Sequence, residues 1–89
     1  MITKEILSEA TRLVGTDRQK DYGDKVEKHN NIAKLWSAYL DVKIEAHDVA
    51  IMMALLKVAR TKLGAVSRDT YVDMSAYSAI AGEIKFKEK

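Results

Sequence analysis

The segment Asp48 to Leu63, DVAIMMALLKVARTKL, constrains the fold more than any other part of the chain. It holds no proline and no glycine and is rich in strong helix formers, which predicts a helix over its whole length. Val49, Met52, Met53, Leu56, Ala59 and Leu63 make one stripe at helical spacing, and Ile51, Leu55 and Val58 widen it. Only Asp48, Lys57, Arg60, Thr61 and Lys62 interrupt the apolar surface. A helix that is apolar over most of its circumference needs partners on several sides. In a chain of 89 residues it is therefore the central helix, a contact between subunits, or both.

That length makes one domain, residues 1–89, near the lower limit of what a single core stabilises unaided. The chain has no cysteine, which removes disulfides and thiolate zinc sites and suits a reducing cytoplasm. No apolar run approaches the roughly 18 residues that span a bilayer, and MITKEILSEATR does not read as a signal peptide. A membrane is thus not an expected partner. A net charge of +2 with mixed signs is too weak a bias for duplex nucleic acid. By default such charges are a solvated surface.

Three further helices flank the central segment. Thr3 is a helix cap ahead of KEILSEATRLV, in which Ile6, Leu7, Ala10, Leu13 and Val14 share a face and Gly15 marks the end. Gly15 to Gly23 has no core period, carries Tyr22 among charges, and is the longest irregular stretch. Asp24, with Glu27 three residues on, caps a second helix to about Asp41. Val26, Ile32, Ala33, Trp36, Tyr39 and Leu40 form its inner face, and His29 falls there as a core imidazole. Gly64 ends the third helix, and Ser67 caps a fourth, RDTYVDMSAYSAIAGEI, in which Tyr77, Ile80, Ala81 and Ile84 share a face with Asp73. The charged tail, residues 85–89, is expected to fray. The pattern predicts an all-α, compact four-helix up-down bundle that oligomerises through its apolar third helix.

In an up-down arrangement the end of helix one, the start of helix two, the end of helix three and the start of helix four gather at one end. There Arg18, Lys20, Tyr22 and Lys25 would meet Lys57, Arg60 and Lys62, then Arg68, Asp69, Tyr71 and Asp73. Bases with aromatics and two helix N-termini suit phosphate groups joined to a base or ribose. The competing expectation is simpler: Lys57 and Arg60 pair with Asp69 and Asp73 across the hairpin. Asp48 and Asp73 both interrupt apolar stripes, where a carboxylate needs a partner. Asp73 is expected opposite about Val58, so Asp48 lies roughly 15 Å away and the two cannot share a metal within one chain.

RQKDYG at Arg18–Gly23, LW at Leu35–Trp36, DVAIMMALLKVAR, and DTYVDMSAY at Asp69–Tyr77 together resemble a small phage and prophage family of unknown function. The resemblance runs from Leu7 to Ile84. It implies a phage context and a compact helical protein, and singles out Arg18, Lys20, Asp21, Tyr22, Gly23, Asp48, Lys57, Arg60, Asp69, Asp73 and Tyr77 as family residues outside the packing pattern. A second resemblance is to the all-helical MazG-type nucleotide pyrophosphohydrolases, which hold Mg²⁺ on a triphosphate with two acidic pairs. Glu45-Ala46-His47-Asp48 is similar to the second pair; the first is missing.

These readings lead to three expectations. The first is a phage nucleotide-binding protein of the host cytoplasm, a homo-oligomer without a cofactor, sequestering a nucleotide signal of host immunity. Its ligand residues are Arg18, Lys20, Tyr22, Lys57, Arg60, Asp69, Asp73 and Tyr77. The second is a MazG-like Mg²⁺-dependent hydrolase, with Glu45, Asp48 and Asp73 holding the metal between subunits. The third is a module that binds and blocks a host protein.

Overall fold

A computed structural model of the chain describes residues 1–15, 25–62, 64 and 67–87. The described residues form four helices and no strand: α1 (Ile2–Gly15), α2 (Lys25–Leu40), α3 (Ala46–Ala59) and α4 (Arg68–Lys87). The expected all-α, four-helix class is what the chain adopts.

The helix ends have local causes. α3 starts at Ala46, two residues before its apolar pattern, because Glu45 and Asp48 form a capping box; the Asp48 carboxylate accepts the Glu45 backbone N–H at 3.0 Å. It stops at Ala59 rather than Leu63. The chain then tightens, with the N–H groups of Arg60, Thr61 and Lys62 donating to the carbonyls of Lys57, Val58 and Ala59. α2 ends where Asp41 takes a left-handed backbone, φ 55°. The Ser37 hydroxyl then donates to the Ile44 carbonyl at 3.1 Å and accepts its N–H at 2.8 Å, pinning the link to α3. α4 follows Ser67, whose carbonyl accepts the Thr70 N–H, and runs three residues beyond the expected Ile84. Lys85 and Lys87 suit the negative end of its dipole.

α4 is the helix that all the others touch. α3 and α4 form an antiparallel hairpin, with Ala46 and Ala50 packed on Ile80, Ala81 and Ile84. α1 lies along another side of α4, where Ala10 packs on Val72 and Ala76 with Ile6, Leu13 and Val14 around them. Glu5 meets Arg68 at the start of α4, and Val14 reaches the Ile80 cluster, so α1 runs in the same direction as α4. α2 packs mainly on α3 and reaches α4 through its first turns. This corrects the expected gathering of all four termini. The end of α1 and the start of α2 lie by the C-terminal half of α4; the end of α3 lies by its start.

Of the places open to α3, the centre goes to α4, and the reason is residue size. Of the ten buried apolar residues described, six are alanine. Alanines let helices approach closely on two sides of α4 while burying little apolar area each. The large side chains of α3 are left outside: Ile51, Met52, Leu55, Leu56 and Val58 are all exposed, Leu55 to 59%. On α2, Ala33 and His29 are buried and Val26, Ile32 and Trp36 half-buried, but Tyr39 and Leu40, expected inward, are exposed. Leu7 of α1 is exposed as well.

The large side chains that are fully buried should dominate stability. Ile84, 1% exposed near the end of α4, is one of two. Ile84→Ala should cost about 2–5 kcal/mol, read from urea unfolding followed by circular dichroism. A loss below about 1 kcal/mol would mean that the core does not extend to this turn.

Candidate functional site

Two polar groupings flank the core, one on each half of α4. The first is at the α3–α4 hairpin. The last turn of α3 puts Lys57 opposite the second turn of α4, and its ammonium lies 3.3 Å from the Asp73 carboxylate. The Lys57 side chain is only 13% exposed. The side chain's stem is packed while its charge is neutralised, as a lysine on a mostly buried face requires. This is the simpler of the two expectations for these residues. Arg68, at the start of α4, is committed to Glu5 at 2.6 Å.

Arg60 differs. It is the C-cap of α3, exposed, and among the described residues it makes no ion pair. Asp69, expected as its alternative partner, is exposed on the first turn of α4 and is likewise in no ion pair there. The hairpin turn therefore carries a cation whose charge the described residues do not neutralise, ahead of a helix start whose first N–H groups face an anion-favouring end.

The second grouping joins α1, α2 and α4. The Lys25 ammonium is 3.3 Å from Glu83 Oε2 and donates to the Val14 carbonyl at 3.4 Å. Lys87 reaches the other Glu83 oxygen at 3.6 Å. Glu83 Oε2 is buried and held by charge, not by an aligned hydrogen bond. One helical turn on, His29 Nδ1 donates to the Lys25 carbonyl at 2.7 Å, and its ring meets Tyr77 edge-on with centroids 6.3 Å apart. That bond fixes the proton on Nδ1 in the neutral ring, so Nε2 is an acceptor, and it is buried with no hydrogen-bond partner among the described residues. His29 is thus a core imidazole satisfied on one side only.

Of the residues singled out from the sequence, the fold brings Lys57 and Asp73 together, leaves Arg60 and Asp69 exposed on either side of the α3–α4 link, and packs Tyr77 by His29 at the middle of α4. Arg18, Lys20 and Tyr22, with Asp21 and Gly23, lie outside the described residues. Glu45 and Asp48 cap α3, and Asp73 is engaged by Lys57. Among the described residues no three His, Cys, Asp or Glu side chains are placed to hold a metal ion. No described helix is long and apolar enough to cross a membrane. Sequence reading missed Glu83 and its link to Lys25. The only signal was an acid at the end of an otherwise apolar stretch, which says nothing of which helix supplies its base.

The pairing at the hairpin makes a stability prediction. Asp73→Asn would leave the largely buried Lys57 ammonium without a counter-charge and should cost about 1–3 kcal/mol. Asp69→Asn, at an exposed position, should stay within about 0.5 kcal/mol. Equal midpoints for both variants in a urea titration would show that the Lys57–Asp73 pair holds nothing together.

The comparison with known proteins adds a lineage. A family model described as a domain of unknown function (DUF6378) matches residues 5–85. Two relatives, each called Gene 55 protein, come from Mycobacterium phages L5 and D29. The first is 39% identical over 84 residues, covering 93% of this chain and 54% of the relative. The second is 40% identical over 83 residues, covering 93% and 55%. The chain spans about half the length of the curated relatives it matches. No solved structure matches it.

Proposed function

The chain belongs to the DUF6378 family of unknown function, which has phage relatives, and from that premise we propose that it is a nucleotide-binding phage protein of the host cytoplasm. It would sequester a phosphate-containing nucleotide, such as a signal of host immunity, without turning it over. The observation that supports this reading is Arg60: an exposed guanidinium, without an ion pair among the described residues, at the turn leading into α4. A guanidinium gives phosphate two parallel hydrogen bonds, and the α4 start adds N–H groups and dipole. Asp69, exposed on the first turn of α4, would accept a ribose hydroxyl. The Lys57–Asp73 pair braces the turn from below, and Tyr77 serves packing in this reading. Arg18, Lys20 and Tyr22 remain proposed ligand residues of their own segment. The described residues bounding that segment, Gly15 and Lys25, lie by the other half of α4, so the two sets are tested apart.

Sequestration asks for affinity and no chemistry. That agrees with acids committed elsewhere: Glu45 and Asp48 to the α3 cap, Asp73 to Lys57. A MazG-like hydrolase would need several carboxylates converging on Mg²⁺. A second reading, a module that binds and blocks a host protein, is favoured by one observation, the exposed apolar side chains of α3.

A thermal-shift screen separates these readings. It would use nucleoside mono- and triphosphates, cyclic dinucleotides and cyclic ADP-ribose-type compounds, with and without Mg²⁺, followed by chromatography of the ligand. Sequestration predicts a shift of several degrees at saturation, with the ligand recovered intact. Arg60→Ala should weaken that ligand at least tenfold with an unchanged melting temperature of the free protein. Loss in Arg18→Ala with Lys20→Ala, but not in Arg60→Ala, would move the site to the Gly15–Gly23 segment. Pyrophosphate released only with Mg²⁺ would make the protein a hydrolase. No shift with any ligand would sink nucleotide binding and leave the protein partner.

A further inference from the structure

We propose that the exposed face of α3 is a contact between two copies of the chain, paired antiparallel about a two-fold axis near Leu55. This surface is separate from the Arg60 turn and does not depend on the nucleotide reading. Its basis is first a matter of geometry. Ala46, Val49 and Ala50 are buried, and the Lys57 side chain is mostly so, on one side of α3. At 100° per residue, Val58, Ile51, Leu55, Ala59, Met52 and Leu56 then follow one another round the opposite side without a polar residue among them except Asp48. All six are exposed. The five larger side chains leave on the order of 400–500 Å² of apolar surface to water, the size of the largest patch on a typical monomer, which is often functional. That is about half of the roughly 800 Å² each partner contributes to a standard interface, the remainder of which is normally a polar rim.

A chain of 89 residues whose described buried apolar residues are mostly alanine has a thin core, while Leu7, Leu35, Leu40 and five of the larger α3 side chains lie outside it. Small domains of this kind commonly gain the missing burial by association.

Opposite charges at the two ends of the face select the occupant and the direction. Asp48 stands at one end of the apolar face. At the other end Lys62, whose N–H donates to the Ala59 carbonyl, sits one turn above Ala59 on the same side. Asp48 and Lys62 are equidistant from Leu55 along the chain. Antiparallel pairing about Leu55 sets Asp48 against the partner's Lys62, Ile51 against the partner's Ala59, and Met52 against the partner's Val58, with Leu55 meeting its own copy. Every apolar position meets an apolar one and each terminal charge meets its opposite. A parallel pair would set like charges against each other and align the two helix dipoles unfavourably. A two-fold, self-complementary patch of this kind is what a closed dimer requires.

The experiment uses the full chain, 10.0 kDa, and its lack of cysteine. Light scattering after size exclusion should give twice the chain mass, and Leu55→Glu should return it to a monomer with unchanged helical signal, since Leu55 is exposed in the single chain. Mild oxidation should cross-link Leu55→Cys into a covalent dimer, because that residue faces its own copy, and should leave Ile51→Cys at least tenfold less cross-linked, because its own copy lies about 12 Å along the axis. A monomer at all concentrations would overturn the proposal and leave the face to a different protein. A dimer that survives Leu55→Glu would overturn the surface. Equal cross-linking of both cysteine variants would overturn the antiparallel register.

Discussion

The close approach of α1 and α3 to two sides of α4 is the constraint on which the rest of the molecule depends. It is an alanine contact. Ala10 sits on Ala76 and Val72, and Ala46 and Ala50 sit on Ala81, Ile80 and Ile84. Small residues at helix crossings shorten the distance between helix axes, so the backbones themselves supply much of the packing. Two consequences follow. α4, whose composition is half polar, becomes the shared element because its small and branched residues face both neighbours. The larger apolar side chains of α3, with no such neighbour on their side, are displaced to the surface.

Electrostatics follows the same geometry. Once α3 and α4 are held at alanine distance, Lys57 is drawn into the contact and its charge must be met there, which Asp73 does. Where α2 begins beside the far half of α4, Lys25 and Glu83 play the equivalent part, and Glu83 lies between two lysines. The cations that close packing buries are thus neutralised within the fold. Arg60, just past the last α-helical turn, is outside the contact and, like Lys62 beside it, is exposed and in no ion pair among the described residues. A modest net charge of +2 conceals that distinction, because it counts committed and uncommitted charges alike.

The phage relatives give this arrangement a setting but not a role. They carry nearly as much chain again as the part matched here, while the family match, residues 5–85, covers α2 and α3 and most of α1 and α4. The helical unit is therefore the portion that the relatives and this chain have in common, and the hairpin turn and the apolar face of α3 both fall inside it.

How much was legible from the sequence divides along physical lines. Periodicity and glycines determined that the described residues are all-α and form four helices, with their ends to within a few residues, because those signals act over a few neighbouring residues; the cap expected at Thr3 lies inside α1, which begins at Ile2, and the one expected at Asp24 lies outside the described residues. They also marked Lys57 and Asp73 as candidates for a cross-hairpin pair, since a short connection leaves an antiparallel hairpin as the simplest choice. They could not show that α1 runs along α4 in its own direction, because a stripe of apolar residues has no polarity; the Glu5–Arg68 contact and the seating of Ala10 decided that in three dimensions. They also ranked hydrophobicity above size and so offered α3 as the centre, as a contact between subunits, or as both. Only the tertiary structure decided for α4, because shape matching between alanines, which carries almost no hydropathy signal, governs which helices can come close enough to form the core.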